Sequence, residues 1–308
     1  MSEKETVVCD LCGSDSYRPF CMKRGFEYVK CADCRMVYVR ARLAEAPLGE
    51  ETERLAKTQH LAAAKIESDY SDFIRTVIHY PRLRLIEPYR ETNRILDVGC
   101  GNGAFMYSAE KNGWKAYGVE LSESNASYAR NNRGLNVITG TLFGARFPNE
   151  FFDVVTLWEV VEHLDSPLHN LREVSRILRP GGAVLLSTPN INSLARLLTH
   201  CRWEIFLPES HLYLFSRGTL KTLLRKTGFK ALKLWTEDIN LLTIMRNLRP
   251  GEMSDNWDEK RKDIVRVSAM IKRHKSLIKI RKAVNLMISN IDIGDTLYAL
   301  VEKTRAGQ

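Results

Sequence analysis

The chain has 308 residues, 44% of them hydrophobic and 27% charged, with 46 Lys and Arg against 37 Asp and Glu for a net charge of +9. Such a chain exceeds one typical domain and is long enough for a sizeable core. No apolar run reaches the length of a membrane span, and the polar start Met1-Ser2-Glu3-Lys4-Glu5 lacks the apolar stretch of a secretory signal, so a cytoplasmic protein without a transmembrane segment is expected.

The first segment pairs Cys9-Asp10-Leu11-Cys12 with Cys31-Ala32-Asp33-Cys34 across eighteen residues. Two-residue gaps let both thiolates of a pair face one ion, so residues 1–42 read as a small zinc ribbon with Cys9, Cys12, Cys31 and Cys34 as ligands. Four thiolates leave no open coordination position, which makes the zinc structural. Strands are expected at Ser16–Phe20 and Glu27–Lys30. Cys21, Cys100 and Cys201 fit no ligand spacing and read as packing residues. Mixed three- and four-residue apolar spacing, from Leu61 through Val77, then predicts a helical linker over 43–90.

From residue 91 to the end the pattern alternates. Strands are predicted at Arg94–Val98, Lys115–Glu120, Asn136–Thr139, Phe152–Trp158 and Ala183–Thr188, with helices at Phe105–Asn112, Ser124–Asn131 and His169–Leu178. This α/β alternation implies a parallel sheet covered on both faces. Helices at Leu194–His200 and Arg217–Thr227, a strand near Lys230–Thr236 and a last strand at Thr296–Val301 complete the core. Between those last two strands lies a basic helical insertion, about 246–290, with twelve Lys and Arg against five Asp and Glu from Arg246 to Ser289. The amphipathic stretch Ile264–Ile288 within it reads as a solvated face over a packed stripe. The sharper reading is a peripheral contact with an anionic surface or nucleic acid.

The loop Asp97-Val98-Gly99-Cys100-Gly101-Asn102-Gly103 follows a strand and opens a helix, the place where a parallel sheet offers its crevice to a nucleotide. Glu120, at the end of the second strand, suits the ribose hydroxyls of NAD and S-adenosylmethionine (SAM) alike. The segments Phe152-Asp153-Val154-Val155-Thr156-Leu157-Trp158-Glu159-Val160-Val161-Glu162-His163-Leu164 and Leu178-Arg179-Pro180-Gly181-Gly182-Ala183-Val184-Leu185-Leu186-Ser187 separate the two. Together with the loop they resemble class I SAM-dependent methyltransferases over roughly residues 90–235, and Gly294–Lys303 resembles that family's last strand.

The resemblance implies a Rossmann-like, seven-stranded methyltransferase sheet whose final strand is antiparallel. It places Asp97, Gly99, Gly101 and Gly103 around the methionine part of SAM, Glu120 at the ribose and Leu121 at the adenine. Thr141 and Leu142 would lie beside the adenine edge, and Trp158 and Glu159 near the sulfonium. Pro208–Ser216 resembles a segment that ubiquinone-biosynthesis O-methyltransferases place over the active site, and the ribbon ahead of such a core is similar to that of zinc-ribbon sugar methyltransferases. A small-molecule acceptor is therefore expected: quinone-like, glycan or nucleotide-sugar.

His163 and His211 are the candidate bases, because imidazole titrates near neutrality. A sharper alternative groups Glu159, Glu162, His163 and His211 around a second divalent ion that orients and acidifies a hydroxyl. RNA 3′-end and some quinone methyltransferases resemble this arrangement. Two other functions stay open at this point: an RNA methyltransferase anchored by ribbon and basic helix, and a non-enzymatic SAM-binding scaffold.

Overall fold

The computed structural model describes residues 4–43, 53, 78–239, 244–245, 283–289 and 291–304. Most of the expected linker and of the basic insertion, including 264–282, lies outside the described residues; 283–288 are helical. Among the described residues no helix is long and apolar enough to cross a membrane.

Five strands precede the core: β1 (Lys4–Thr6), β2 (Tyr17–Lys23), β3 (Phe26–Cys31), β4 (Val37–Val39) and β5 (Ala41–Leu43). The core carries β6 (Arg94–Val98), β7 (Lys115–Glu120), β8 (Asn136–Thr139), β9 (Phe152–Trp158), β10 (Leu178–Pro189), β11 (Tyr213–Leu214), β12 (Phe229–Glu237) and β13 (Thr296–Lys303). Its helices are α1 (Tyr80–Ile86), α2 (Ala104–Glu110), α3 (Glu123–Arg133), α4 (Pro167–Ile177), α5 (Leu194–Thr199) and α6 (Arg217–Lys226).

Seven strands form one sheet in the order β12-β13-β10-β9-β6-β7-β8. β13 runs antiparallel to both its neighbours, while β10, β9, β6, β7 and β8 are mutually parallel. The last strand is thus antiparallel as expected, inserted between β10 and β12. Side chains alternate across the sheet: Val154, Ala183, Leu185 and Leu300 pack with Phe105, Met106 and Ala126 from α2 and α3. Val155, Val184, Leu186 and Val301 pack on the opposite face with Val174 of α4 and Leu223 of α6. A period of two on strands buried on both faces produces this division.

Two boundaries differ from expectation for local reasons. α4 begins at Pro167 rather than His169, because Ser166 accepts from the His169 N–H as N-cap and proline fits the first helical position. Leu178 belongs to β10 instead of the helix, paired with Phe152 before a register shift that takes up Arg179–Gly182. Asp153 ties this end of the sheet together. Burial alone would push its carboxyl up, but N–H groups of Glu91 and Thr92, the Thr92 hydroxyl and Arg179 Nε at 2.8 Å hold it below its ordinary value.

The ribbon contains more than the two expected strands. Its sheet has the order β11-β4-β3-β2, so Tyr213 and Leu214, far along the chain, supply its fourth strand by pairing with Tyr38 and Val37. Cys9, Leu11, Val29, Cys31, Met36 and Tyr38 share one continuous core with β9, β10 and α6. Of the three remaining cysteines, Cys21 and Cys100 are buried, whereas Cys201 is exposed rather than packed.

Candidate active site

The crevice opens where β6, β7, β9 and β10 end. Gly99, Gly101 and Gly103 all have positive φ, which lets the loop turn tightly between β6 and α2. Their surroundings differ: a Cβ on Gly99 would meet Val160 at 2.6 Å and one on Gly103 would meet Leu135 at 2.4 Å, whereas one on Gly101 meets nothing within 4 Å. Only Gly101 borders open space that a ligand could fill.

Glu120 braces this loop, accepting from Gly101 N–H at 2.8 Å and Ser122 N–H at 2.9 Å. Asp97, under the loop, accepts from the Thr156 hydroxyl at 2.6 Å, and burial pushes its carboxyl up to about 7 despite that bond. Leu121 is exposed beside the crevice and so is Thr141. Leu142 is buried, its side chain part of the hydrophobic core. Glu53, in the expected linker, accepts from Ser122 Oγ at 2.7 Å and Ser124 N–H at 3.2 Å, an anchor next to the end of β7 that linear spacing did not signal.

At the end of β9, Trp158 packs edge-on to Phe105, with ring centroids 5.0 Å apart, and its buried indole N–H has no partner among the described residues. Glu159 follows with φ of 53°, a left-handed conformation uncommon for a residue with a side chain. It is clamped there: its N–H donates to Ser187 O at 3.1 Å, and the Ser187 hydroxyl donates to its carboxylate at 2.6 Å. Although part of Glu159 is exposed, desolvation of its carboxyl pushes it up to about 7 against the Ser187 bond. Such strained, held geometry is a recurrent property of functional positions.

One turn further, Glu162, His163 and His211 converge, offering ligand atoms that all lie within 4.8 Å of one another. The two imidazoles meet edge to face at 4.7 Å between centroids. His163 Nδ1 bonds to Ser210 O at 2.8 Å and His211 Nδ1 to Ile205 O at 2.9 Å, which leaves both Nε2 atoms with lone pairs. Glu162 is fully buried; one carboxylate oxygen accepts from the Thr188 hydroxyl at 3.0 Å, while the other, Oε1, has no hydrogen-bond partner and sits 4.0 Å from His163 Nε2. Burial pushes the Glu162 carboxyl well above its ordinary value; burial and the neighbouring His163 pull His211 down to about 3. Glu159, the fourth residue of the expected quartet, stands outside this cluster with its carboxylate on Ser187.

The second cluster is the ribbon's. Cys9 and Cys34 sulfurs are 3.4 Å apart, Cys12 and Cys31 3.5 Å, and all four lie within 4.8 Å of one another. An ion about 2.3 Å from four thiolates would separate them by about 3.8 Å, so the donor set fits a tetrahedral metal. Burial resists ionisation of Cys31, but N–H groups of Cys34 and Asp33 hold its thiol down at about 7; burial pushes Cys34 up to about 12.

Residues 67–234 match the family described as a methyltransferase domain. The chain belongs to that methyltransferase family. Its core is a class I SAM-dependent methyltransferase fold. The methyltransferase is 31% identical over 157 residues to the ubiquinone biosynthesis O-methyltransferase of Stutzerimonas stutzeri (strain A1501), a match covering 48% of this chain and 64% of that protein. It is 34% identical over 128 residues to the mitochondrial ubiquinone biosynthesis O-methyltransferase of Schizosaccharomyces pombe, covering 37% and 46% of the two chains. The chain therefore spans less than two thirds of the length of these relatives. Among solved structures it is similar to a SAM-dependent methyltransferase from Archaeoglobus fulgidus, with a TM-score of 0.51, 22% identity, and coverage of 80% and 99%. Ser187 and Thr188, which hold Glu159 and Glu162 in the methyltransferase, were not singled out from sequence; their place at the end of a strand parallel to β9 is the signal that would have found them.

Proposed function

We propose that the methyltransferase moves the methyl group of SAM to an oxygen of a small molecule, assisted by a divalent cation at Glu162, His163 and His211. The observation that carries the cation is Glu162 Oε1, a buried carboxylate oxygen without a hydrogen-bond partner among the described residues, grouped with two imidazoles whose ligand nitrogens lie within 4.8 Å of it and of one another. Leaving such an atom unpaired costs about 1–3 kcal/mol, more if it is charged. The backbone carbonyls on both Nδ1 atoms are the usual outer support of imidazole ligands. A bound divalent ion would supply Lewis acidity, lowering the pKa of a substrate hydroxyl.

The chain's own residues then do the rest. The glycine loop and Glu120 hold the nucleoside, with room at Gly101 for close approach. Trp158 and Glu159 border the sulfonium, and Glu159 is kept in place by Ser187. Glu162, His163 and His211 orient the acceptor oxygen in line with the methyl group, the alignment on which such a displacement depends. His211 is too weakly basic to serve well as the proton acceptor itself, which favours the ligand role. The O-methyltransferase names of the curated relatives support oxygen as the acceptor atom. In the ribbon we assign zinc to Cys9, Cys12, Cys31 and Cys34, as a structural ion.

The test is incubation with radiolabelled SAM and separated cell extracts, with and without Mn2+. Label is expected in a small-molecule fraction and only with the metal, and Glu162→Gln abolishes it while still binding SAM. Label in RNA or protein, or metal-independent labelling, would overturn the reading.

A further inference from the structure

The segment carrying His211 has little regular structure of its own: β11 is two residues long, and Ile205 to Leu212 contains no helix or strand. Something else must hold the imidazole. Part of its backbone is held by the core, Leu212 and Tyr213 N–H donating to Glu162 O and His163 Nδ1 bonding to Ser210 O; other bonds come from the ribbon. The Tyr28 hydroxyl donates to His211 O at 2.9 Å, and the next carbonyl, Leu212 O, accepts from Val39 N–H at 2.9 Å. Tyr28 also reaches the ring by a second route. Its own ring packs against Phe206, centroids 4.9 Å apart, and Phe206 adjoins Ile205, whose carbonyl fixes His211 Nδ1.

We infer that Tyr28 is a positioning residue for His211, so that the ribbon builds one wall of the active centre rather than standing beside it; as it concerns the cation, this rests on the ligand set proposed above. Tyr28 is fully buried, and a hydroxyl taken out of water needs a partner. A phenylalanine would fill the same core position with no such need. The partner the hydroxyl finds is the carbonyl of His211. The same sheet contains its own control: Tyr38, on β4, is equally buried, yet its hydroxyl has no hydrogen-bond partner.

The experiment compares Tyr28→Phe and Tyr38→Phe in the full-length, zinc-loaded protein. The first readout needs no second metal: nitrogen-15 NMR of the imidazoles. Tyr28→Phe is expected to shift or broaden the His211 ring signals and leave those of His79 and His169 in place, whereas Tyr38→Phe moves none of them. The second readout is Mn2+ affinity, from the free-ion EPR signal, expected to weaken about tenfold in Tyr28→Phe, the effect of losing one buried hydrogen bond. Unchanged His211 signals in Tyr28→Phe, or equal changes in Tyr38→Phe, overturn the inference. Glu162→Gln tests the ligand set separately: if the unaltered protein takes up no Mn2+, the cation reading fails and the imidazole signals still decide the role of Tyr28.

Discussion

Gly101 and Gly103 stand two positions apart on one loop, but replacing them has different consequences. In Gly103→Ala the new methyl group would run into Leu135 and Ala129, an overpacking cost of about 1–3 kcal/mol in addition to backbone strain. In Gly101→Ala only the strain remains, about 1–2 kcal/mol, and the methyl enters the space left for the ligand. Thermal unfolding should therefore report mainly on Gly103→Ala, and calorimetry with SAM mainly on Gly101→Ala, with affinity down about tenfold or more. Equal affinity in Gly101→Ala would move the cofactor elsewhere. Asp97 and Glu159 provide a second prediction at this scale. Both carboxyls lie at about 7, so near neutral pH each is partly protonated. With SAM seated as proposed, its positive charge would favour the ionised form and lower both values, so binding would release protons. Affinity should rise as pH climbs toward about 7 and level off above it. The check is the dependence of binding enthalpy on buffer ionisation enthalpy, which Asp97→Asn should reduce.

The elements owe their boundaries to short-range chemistry, and here the sequence was legible. Strands β6, β7, β8 and β9 match their expected limits, since apolar runs between glycine, proline and polar turns leave few alternatives. Other element ends differ by a few residues, and the largest departures depend on a distant partner. β11 has two residues and no pattern; it is a strand because β4 lies beside it. The start of α4 is similarly shared: Asp10, from the first cysteine knuckle, accepts from the Ser166 hydroxyl at 2.6 Å and the Leu168 N–H at 2.8 Å. A carboxylate there satisfies an N–H that the helix itself leaves open and favours the positive end of its dipole. Asp10→Ala should cost about 1–2 kcal/mol of stability by urea unfolding, although Asp10 belongs to the ribbon and α4 to the core. No change in the midpoint would mean that water replaces the carboxylate.

Across the whole molecule, ribbon and sheet share one hydrophobic core, and Lys226 of α6 donates to Leu11 O at 2.8 Å to reinforce the seam. Metal binding to the four cysteines, as proposed, would then be linked to the stability of the entire chain, not of the ribbon alone. Stripping the ribbon metal with a chelator should lower a single cooperative unfolding transition. A separate low-temperature transition with the main one unmoved would show that the ribbon unfolds by itself.

The sequence by itself determined the glycine loop, the cysteine knuckles and the α/β alternation, because each is written in spacings of a few residues that side-chain chemistry and backbone geometry interpret directly. It also nominated Glu162, His163 and His211, but as residue types in suggestive positions. Only the tertiary structure decided that these three meet while Glu159 turns to Ser187, that Leu142 faces the core, and that Tyr28 reaches the carbonyl of His211. Those outcomes depend on the path of the backbone between distant segments. No local pattern encodes such a path: it follows from how the two faces of the sheet and the ribbon bury their apolar side chains together.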